Sequence, residues 1–578
     1  MSKIVAQTQE KIREIIYNAV KKAADAGELQ SADLPDFGVE IPSERTHGDF
    51  AVNAAMVWSK VLKTAPRNIA AMIEKYADFD GSYIEKMEIA GPGFINLFLR
   101  ESYYGDILLD VNKSGKSYGK SDFGKGARVM VEFVSANPTG PMHMGNARGG
   151  ALGDCLASVL EAAGYYVERE FYINDAGNQI DKFALSLDLR YLAIFDGADK
   201  RPMPEDSYHG EDILELAKEF AAVNGDSYVN KDEAARRKAL VDFALPKNIE
   251  AMHRNMDIYR INYDTWFLES TLHNNGELNE TIEILKNGGF TYEKDGALWY
   301  KNKEVMTAKL LESGKTQDEI DKLELKDDVL IRANGNPTYF AADIAYHRNK
   351  LATRKFERAI DIWGADHHGH VARMKCALDC VGGFGEKLEV ILIQLVRLVR
   401  DGEIVRMSKR TGKAITLTDL LEDIPVDAVR FLFNMREANS QMDFDLDLAV
   451  EQSAQNPVYY CQYAHARVCS IIKKLGVEVR PCTAAELALL NASEERELIR
   501  HLSALTGEII TAAKRSDPAG ITRYVCDLAA LFHKFYNACH VNVEDKSLMQ
   551  ARLFLCACTR DVIANVLNML KIDAPDSM

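Results

Sequence analysis

The stretch from 129 to 154 constrains the fold of this 578-residue chain more than any other part of it. Its first residues, 129–134, are apolar and β-branched, with one carboxylate at Glu132, as in a buried strand of a parallel sheet. Turn-forming residues occupy 135–141, and small and apolar residues over 145–160 predict a helix. A strand, a Gly/Pro loop and a helix N-terminus together favour an anion site, because unpaired N–H groups and the helix dipole point to one place.

The loop before this helix carries neither a P-loop nor a GxGxxG pattern. It reads His143-Met144-Gly145-Asn146, in which the first and last side chains can face one ligand because they lie three positions apart. Gly145 leaves room for a flat ring against the backbone. The tetrapeptide resembles the HIGH signature of class I aminoacyl-tRNA synthetases, whose first and last positions contact ATP. For the four residues alone, a helix start with an incidental His is the alternative.

Asn146 departs from that signature, since most members have His at the fourth position. Asn can donate a hydrogen bond to a phosphate, but it cannot carry a proton charge. The predicted motif region consists of Ala136, Asn137, Pro138, Thr139, Gly140, Pro141, Met142, His143, Met144, Gly145 and Asn146.

Composition and charge exclude several classes of protein. Hydrophobic residues make up 47% of the chain and charged residues 27%, as in soluble proteins with large cores. No apolar run reaches the roughly 20 residues that span a membrane, and the N-terminus lacks an apolar signal core, so a cytoplasmic protein is expected. The ten Cys show no zinc-ligand spacing, so no structural metal is expected. A net charge of −16 argues against DNA or non-specific nucleic-acid binding, but it allows local basic patches for one folded RNA.

Hydrophobic patterning predicts three domains. Residues 1–112 read as an α+β module. Residues 120–425 alternate strands and helices, as in an α/β Rossmann-like domain, with a helical, charged insertion at about 185–325. The pattern is helical from Asp427 onward and predicts an all-α bundle over 445–578.

A second phosphate-binding element is predicted near the end of the α/β domain. Arg406-Met407-Ser408-Lys409, followed by another Arg, resembles the KMSKS loop of the same synthetases. A loop with several cations suits a pyrophosphate leaving group, whose charge grows in the transition state. Lys409 is the residue expected to contribute most. Alone, such a basic loop is more often a solvated turn, but its order and spacing relative to the first motif make the pair specific.

Further segments narrow the resemblance to one family. The stretches 338–350, 363–375 and 456–468 resemble arginyl-tRNA synthetases, and the match covers nearly the whole chain. The N-terminal module is similar to that family's additional tRNA-binding domain. The C-terminal helices are similar to its DALR-type anticodon-binding domain, with 427–430 where the family often has DALR. The resemblance implies an arginine–tRNA ligase, which uses ATP with Mg²⁺ to form arginyl-adenylate and charges the 3′-terminal ribose of tRNA(Arg).

A guanidinium substrate requires acceptor groups, preferably two carboxylates in a dry pocket. The resemblance maps the arginine-binding roles onto Glu132, Ser135, Asn137, Glu269, Tyr339, Asp343 and His367. Tyr339 and Asp343 share a face of a predicted helix, and Ser135 and Asn137 would hold the ammonium and carboxylate ends of L-arginine. Two alternatives remain open: Glu132 as an internal ion-pair partner, and Asp343 as a first-turn helix carboxylate.

The segment 364–370 follows a predicted strand, where a Rossmann-like sheet exposes its ligand crevice. Gly364 would let adenine or ribose approach the backbone, while Asp366 and His367 would contact the ribose or the adenylate. The three His of this segment also suggest zinc, but they lack Cys partners and ligand spacing, so a metal is not expected there.

The anticodon contacts are expected on one aromatic helix. Unpaired bases stack on aromatic side chains, and the stretch 456–468 places such residues beside amides and a cation. The candidates are Tyr460, Gln462, Tyr463, Arg467 and the terminal Met578. An aromatic stripe is more often core, so one of the tyrosines is expected to be buried.

Two other functions compete with arginine–tRNA ligation. A different class I synthetase with a similar bundle, such as a cysteinyl one, is disfavoured by the missing zinc ligands and by the carboxylate pocket. An RNA-binding paralogue without activity is favoured only by Asn146 and Arg406. The expected partners are ATP with Mg²⁺, L-arginine and tRNA(Arg), with no DNA, no membrane and a monomeric state.

Overall fold

The structure is a computed structural model that describes residues 3–42, 44–405 and 415–578. The motif residues Arg406, Met407, Ser408 and Lys409 therefore lie outside the described residues. No helix within the described ranges is long and apolar enough to cross a membrane.

The first domain is an antiparallel sheet covered by helices. Its elements are α1 (Lys3–Asp25), β1 (Val39–Glu40), β2 (Phe50–Val52), α2 (Ala54–Trp58), α3 (Pro66–Tyr76), β3 (Ile84–Ala90), β4 (Phe94–Leu99) and α4 (Glu101–Ser114). The strands lie in the order β1-β2-β4-β3. β3 and β4 form a hairpin around 91–93, where a Gly-Pro-Gly turn interrupts an apolar stretch.

The central domain is built on five parallel strands. Its elements are β5 (Arg128–Glu132), α5 (Gly145–Ala162), β6 (Tyr166–Ile173), α6 (Asn178–Asp196), α7 (Glu211–Asn224), α8 (Glu233–Ile258), β7 (Thr265–Leu268), α9 (Ser270–Asn274), α10 (Glu277–Asn287), β8 (Thr291–Lys294), β9 (Ala297–Tyr300), α11 (Asn302–Glu312), α12 (Gln317–Asp321), β10 (Asp328–Ile331), α13 (Tyr339–Arg348), β11 (Arg358–Gly364), α14 (His368–Gly382) and β12 (Leu388–Ile393). The strand order is β12-β11-β5-β6-β7. The predicted α/β Rossmann-like class is confirmed, and β5 lies at the centre of the sheet.

The segment predicted as an insertion, 185–325, contains a strand of this central sheet. β7 lies inside that segment and pairs in parallel with β6, where Trp266 stacks on Phe171 with ring centroids 4.5 Å apart. Two separate units flank β7 along the chain. Before it, α6, α7 and α8 enclose their own apolar core. After it, β8, β9 and β10 form a small antiparallel sheet. The sequence did not predict β7, because four residues are too few to show the apolar–polar alternation of a strand when the residues around them have a helical pattern.

The last part of the chain is largely helical. Its elements are β13 (Val396–Arg400), β14 (Glu403–Val405), α15 (Leu417–Asp423), α16 (Val426–Phe433), β15 (Met442–Asp445), α17 (Leu446–Val450), α18 (Pro457–Leu475), α19 (Ala484–Leu487), α20 (Ser493–Arg515), α21 (Ala519–Ala538) and α22 (Lys546–Met569). β15 departs from the helical pattern expected after Asp427. It pairs with β13, and its Phe444 is fully buried opposite Leu398, so a non-local partner stabilises this short strand.

A buried ionic joint connects α5 to the sheet and to the helical bundle. Asp154 on α5 accepts a hydrogen bond from Arg169 on β6 at 2.9 Å and pairs with Arg430 on α16 at 2.5 Å. The fully buried Arg430 guanidinium also donates to the carbonyls of Leu570 and Tyr259, each at 2.9 Å. One side chain of the DALR-like segment thus holds the ends of α22 and α8 against the start of the α/β core.

We expect Arg430→Met to lower the free energy of unfolding by about 3–5 kcal/mol, because it leaves a buried carboxylate and two buried carbonyls short of a partner. The matched control is Arg397→Met, whose ion pair with Asp443 is exposed, and this change is expected to cost under about 1 kcal/mol. Urea denaturation followed by circular dichroism measures both. Equal losses in the two variants would contradict a special role for the buried joint.

Candidate active site

Three carboxylates lie side by side in the buried centre of the parallel sheet. Glu132 on β5 is in register with Asp361 on β11 and with Glu170 on β6. All three are buried, and Asp361 and Glu170 have no exposed surface. Three adjacent anions in a dry interior repel one another, so this row requires cations close by.

Lys350 supplies the central cation. Its fully buried Nζ lies 2.5 Å from Glu132 Oε2 and 2.9 Å from Asp361 Oδ1. Burial opposes the charge, but Asp361 and Glu132 outweigh it and raise the pKa of Lys350 above its ordinary value. Glu170 is neutralised by Arg354, whose Nη1 lies 2.5 Å from Oε2. Lys350 lies in a π-helical turn over 349–353, directly after α13, a local irregularity that is common at functional sites.

A strained turn follows Glu132. Val134 and Ser135 have φ values of 72° and 42°, although neither is glycine, and a β-branched residue is rare in this region. Ser135 Oγ donates to Glu132 Oε1 at 2.8 Å and accepts from the Tyr172 backbone N–H at 3.1 Å. Both Glu132 oxygens therefore have partners inside the protein. The ion-pair alternative for Glu132 is the arrangement that the structure shows, while a direct contact with arginine stays a prediction.

Glu269 and Asp181 are the acidic residues that line a cavity at the carboxyl edge of the sheet, and Asp343 lies near Glu269. The cavity has a volume of about 550 Å³, and Glu269, His273, Arg332 and Tyr339 are among its lining residues. Glu269 is 4% exposed, and its Oε2 accepts a hydrogen bond from the Tyr172 hydroxyl at 2.6 Å. Burial raises the pKa of Glu269, and the nearby charge of Asp343 adds to this rise. A cation that enters the cavity would relieve the repulsion between these carboxylates.

Asp343 is anchored from α14. Its Oδ2 lies 3.2 Å from His370 Nε2, and His370 Nδ1 accepts from Arg373 Nε at 2.7 Å. His370 thus lies between the carboxylate of Asp343 and the guanidinium group of Arg373. Asp343 and Tyr339 lie one turn apart on α13, as the sequence predicts, and Tyr339 is 38% exposed toward the cavity.

The HIGH-like segment lies beside the residues that flank 406–414. Met144 N–H donates to the Ile415 carbonyl at 3.1 Å, and Leu417 N–H donates to the Met142 carbonyl at 2.9 Å. A cavity of about 380 Å³ is lined by His143, Met144 and Gly145 together with Val405 and Ile415. The described residues on either side of 406–414 therefore line the same cavity as His143.

Asn146 takes part in the local structure of this segment. Its side-chain Oδ1 accepts the backbone N–H of His143 at 3.1 Å, which closes the first turn of α5. His143 and Gly145 are exposed, and Asn146 is half-buried. The Asn in place of the usual His thus has a structural partner one turn back, while contact with a phosphate stays a prediction.

The third predicted nucleotide contact lies at the end of β11. A Cβ added at Gly364 would lie 2.4 Å from Asp366 Oδ1, so the exposed Asp366 side chain would have to move away from this strand end. Asp366 and His367 are exposed, with His367 Nε2 3.5 Å from Asp366 Oδ2. Their exposure leaves both groups accessible to a ligand above the sheet edge.

The predicted aromatic face of α18 lines a cavity of about 400 Å³. Its lining residues include Tyr459, Tyr460, Tyr463, Arg467 and His533. The Arg467 guanidinium lies over the Tyr463 ring, 5.8 Å from its centroid, and Tyr463 is 39% exposed. Such a face can stack an unpaired base between a ring and a cation.

Gln462 and Met578 are not among the residues that line the cavity beside α18. The Gln462 amide donates to Asp427 Oδ2 at 2.8 Å and to the Asp573 carbonyl at 2.9 Å, so it joins α18 to α16 and to the C-terminal tail. Met578 ends that tail and is 53% exposed. Their contact with an anticodon stays a prediction.

Comparison with known proteins agrees with these features over the whole chain. Family models match at residues 10–99 (arginyl tRNA synthetase N terminal domain), 108–472 (tRNA synthetases class I (R), catalytic domain) and 461–578 (DALR anticodon binding domain). The arginine–tRNA ligase of Ruminiclostridium cellulolyticum is 52% identical over 581 aligned residues, which cover 100% of both chains. That of Acetivibrio thermocellus is 50% identical with the same coverage. The chain belongs to the arginyl-tRNA synthetase family.

A solved structure shows that the fold is shared as well. Thermus thermophilus arginyl-tRNA synthetase superposes with a TM-score of 0.71 at 22% identity, covering 98% of this chain and 100% of that one. The family resemblance, the class I catalytic fold and the helical DALR-type domain predicted from the motifs are therefore confirmed.

Several residues of this synthetase-family site were not identified from the sequence. Lys350 and Asp361 read as ordinary members of a helix end and a strand, and Tyr172 as a strand aromatic. The available signal was Lys350 itself, a lone Lys in the segment that carries Tyr339 and Asp343. His533 lies on a different helix from the aromatic stretch that it completes, and no spacing rule connects the two.

We expect His533 to stay neutral well below pH 7. Burial, followed by the positive charge of Arg467, lowers the pKa of His533 to about 4. The unfolded chain takes up this proton near about 6.5, so stability falls as the pH drops between these two values. NMR of the ring protons, assigned with His533→Gln, measures the midpoint. Arg467→Gln should raise it, whereas Arg397→Gln, on β13, should not. A midpoint near the ordinary value in the unaltered protein would contradict this prediction.

Proposed function

We propose that this chain is an arginine–tRNA ligase that activates L-arginine with ATP, releases pyrophosphate and transfers arginine to the 3′-terminal ribose of tRNA(Arg). The observation that carries the proposal is the buried Glu269 carboxylate, which lines a cavity at the carboxyl edge of a class I sheet and lies near enough to Asp343 for that charge to raise its pKa. Full-length identity to curated arginine–tRNA ligases supports it.

Glu269 and Asp343 bind the guanidinium group in this proposal. The planar group can donate to two carboxylates at once, whereas an ammonium group presents a single point of charge. Tyr172 holds Glu269 in place through its hydroxyl, and Tyr339 closes the outer side of the cavity. Because Lys350 already neutralises Glu132, Glu269 and Asp343 provide the negative charge that selects a cationic side chain.

The α-amino and carboxylate ends of arginine lie toward the loop after β5. Ser135 and Asn137 are assigned to these ends, and Glu132 acts on them through Ser135, whose hydroxyl it accepts. His367, at the end of β11, contacts the adenylate where the two substrates meet. This arrangement places the arginine carboxylate between the guanidinium cavity and the His143 cavity.

ATP binds along the HIGH-like loop, with His143, Gly145 and Asn146 toward its phosphates and with Gly364, Asp366 and His367 toward adenosine. Mg²⁺ arrives as part of the ATP complex, coordinated mostly by phosphates and water. Arg406, Met407, Ser408 and Lys409 act on the leaving pyrophosphate. This role is supported by Val405 and Ile415, the residues on either side of 406–414, because both line the His143 cavity. Catalysis is positional and electrostatic, without a covalent enzyme intermediate.

The helical bundle binds the anticodon of tRNA(Arg). Tyr460, Tyr463 and Arg467 form the stacking face, while Gln462 and the tail that ends at Met578 border it. The domain over 1–112 contacts the tRNA elsewhere. In this proposal the enzyme acts as a monomer in the cytoplasm, on neither DNA nor membranes.

The proposal is tested directly by pyrophosphate exchange with arginine and ATP, in the presence and absence of tRNA. We expect arginine-dependent exchange in at least one condition and charging of tRNA(Arg) with arginine but not with cysteine. No exchange in either condition would exclude the ligase.

Glu269→Gln is expected to raise KM for arginine by roughly 10- to 100-fold, because one charge-assisted hydrogen bond to the guanidinium is worth about 1.5–3 kcal/mol. The pKa of Glu269 is raised, so kcat/KM for arginine in the unaltered enzyme should fall as the pH drops toward that pKa. In Glu269→Gln, kcat/KM for arginine should no longer show this fall at low pH. Glu283→Gln, on the exposed surface of α10, is the control. An unchanged KM and pH profile in Glu269→Gln would contradict the assignment.

A further inference from the structure

Three potential metal ligands meet where the C-terminal tail crosses α18. His465 and Cys469 lie one turn apart on this helix, and Asp576 comes from the tail. Cys469 Sγ is 3.9 Å from His465 Nδ1 and 3.4 Å from Asp576 Oδ1, and all three ligand atoms lie within 4.8 Å of one another.

The separations match a tetrahedral site. Zinc lies about 2.0–2.1 Å from nitrogen or oxygen ligands and about 2.3 Å from thiolate sulfur, which places neighbouring ligand atoms roughly 3.3–3.6 Å apart. The two sulfur distances lie within a few tenths of an ångström of that range. The Pro575 carbonyl oxygen, 2.9 Å from His465 Nδ1, or a water molecule would complete the four positions. Two segments that are 100 residues or more apart in the chain would therefore share one ion.

Burial and access also suit an ion. His465 is buried, Cys469 is half-buried and Asp576 is exposed, so the group is anchored on the helix side and open on the tail side. The neighbouring cation Arg560 is paired with Asp561 at 2.7 Å. Zinc binds the thiolate form of cysteine, so the ion would displace the Cys469 proton.

We propose that His465, Cys469 and Asp576 bind one Zn²⁺ ion, which fixes the C-terminal tail to α18. The ion would replace the contacts of His465 Nδ1 with the Pro575 carbonyl and of the Cys469 thiol with Asp576, and it would add to the hydrogen bond from Gln462 to the Asp573 carbonyl. Its role is structural, and it does not depend on the ligase activity proposed above.

Cobalt substitution tests the site in the full-length, reduced and chelator-treated protein. One equivalent of Co²⁺ should produce a thiolate-to-cobalt charge-transfer absorption and the visible bands of a tetrahedral ion, and added Zn²⁺ should abolish both. Cys469→Ser should lose the charge-transfer absorption. Cys380→Ser, which removes a half-buried thiol in the central domain, should keep it.

A second measurement uses the exposed ligand, so that misfolding cannot explain the result. Asp576→Asn should bind Zn²⁺ roughly 10- to 100-fold more weakly. In the unaltered protein, Zn²⁺ should slow amide hydrogen exchange over 573–578, and this effect should be absent from Asp576→Asn. Ordinary hydrogen bonds alone, without a metal, would give no cobalt–thiolate absorption and no change in exchange. Either result, or an absorption that survives in Cys469→Ser, would overturn the proposal.

Discussion

The contact between the Lys350 ammonium group and the carboxylates of Glu132 and Asp361 is the interaction on which the rest of the site depends. Three adjacent strands bring carboxylates into register at the dry centre of the sheet, and an unpaired charge there would cost several kcal/mol. Asp361 also accepts from His347 Nε2 at 2.7 Å, and His347 Nδ1 lies 2.7 Å from the Asp343 carbonyl. One buried cation thus holds β5, β11 and α13 in a fixed relation, and these elements carry the proposed arginine contacts.

The same principle organises the joint between domains. Asp154 is the acceptor for two arginines, one on the sheet and one on the helix before the bundle, so the helix that begins at the HIGH-like motif cannot shift independently of either. Paired buried charges are directional, because each oxygen accepts from a particular donor, whereas apolar packing tolerates small displacements. The nucleotide loop and the bundle that is proposed to read the anticodon are therefore joined by hydrogen-bonded contacts as well as by apolar ones.

Much of the fold could be predicted from local pattern, and the exceptions share a cause. The strand and the helix around the HIGH-like loop are found within a few residues of their predicted positions, and the C-terminal part is helical as predicted. β7 and β15 are only four residues long, and each is stabilised by a distant partner strand, so their own sequence shows no clear period. Among the site residues, Glu269 and Tyr339 line one cavity, whereas Gln462 is engaged by the tail and Glu132 by Lys350.

The sequence by itself determined the fold class, the family and the two motif segments, because these follow from short-range periodicity and from residues close together in the chain. Only the tertiary structure decided which carboxylate is neutralised, which hydroxyl orients Glu269 and which histidine completes the aromatic face. Those assignments depend on contacts between residues that lie on different strands and helices. The anion-binding turn at the start of α5 is local, but the charges around it are set by distant partners, as Asp154 and Arg430 show, which lie 276 positions apart in the chain.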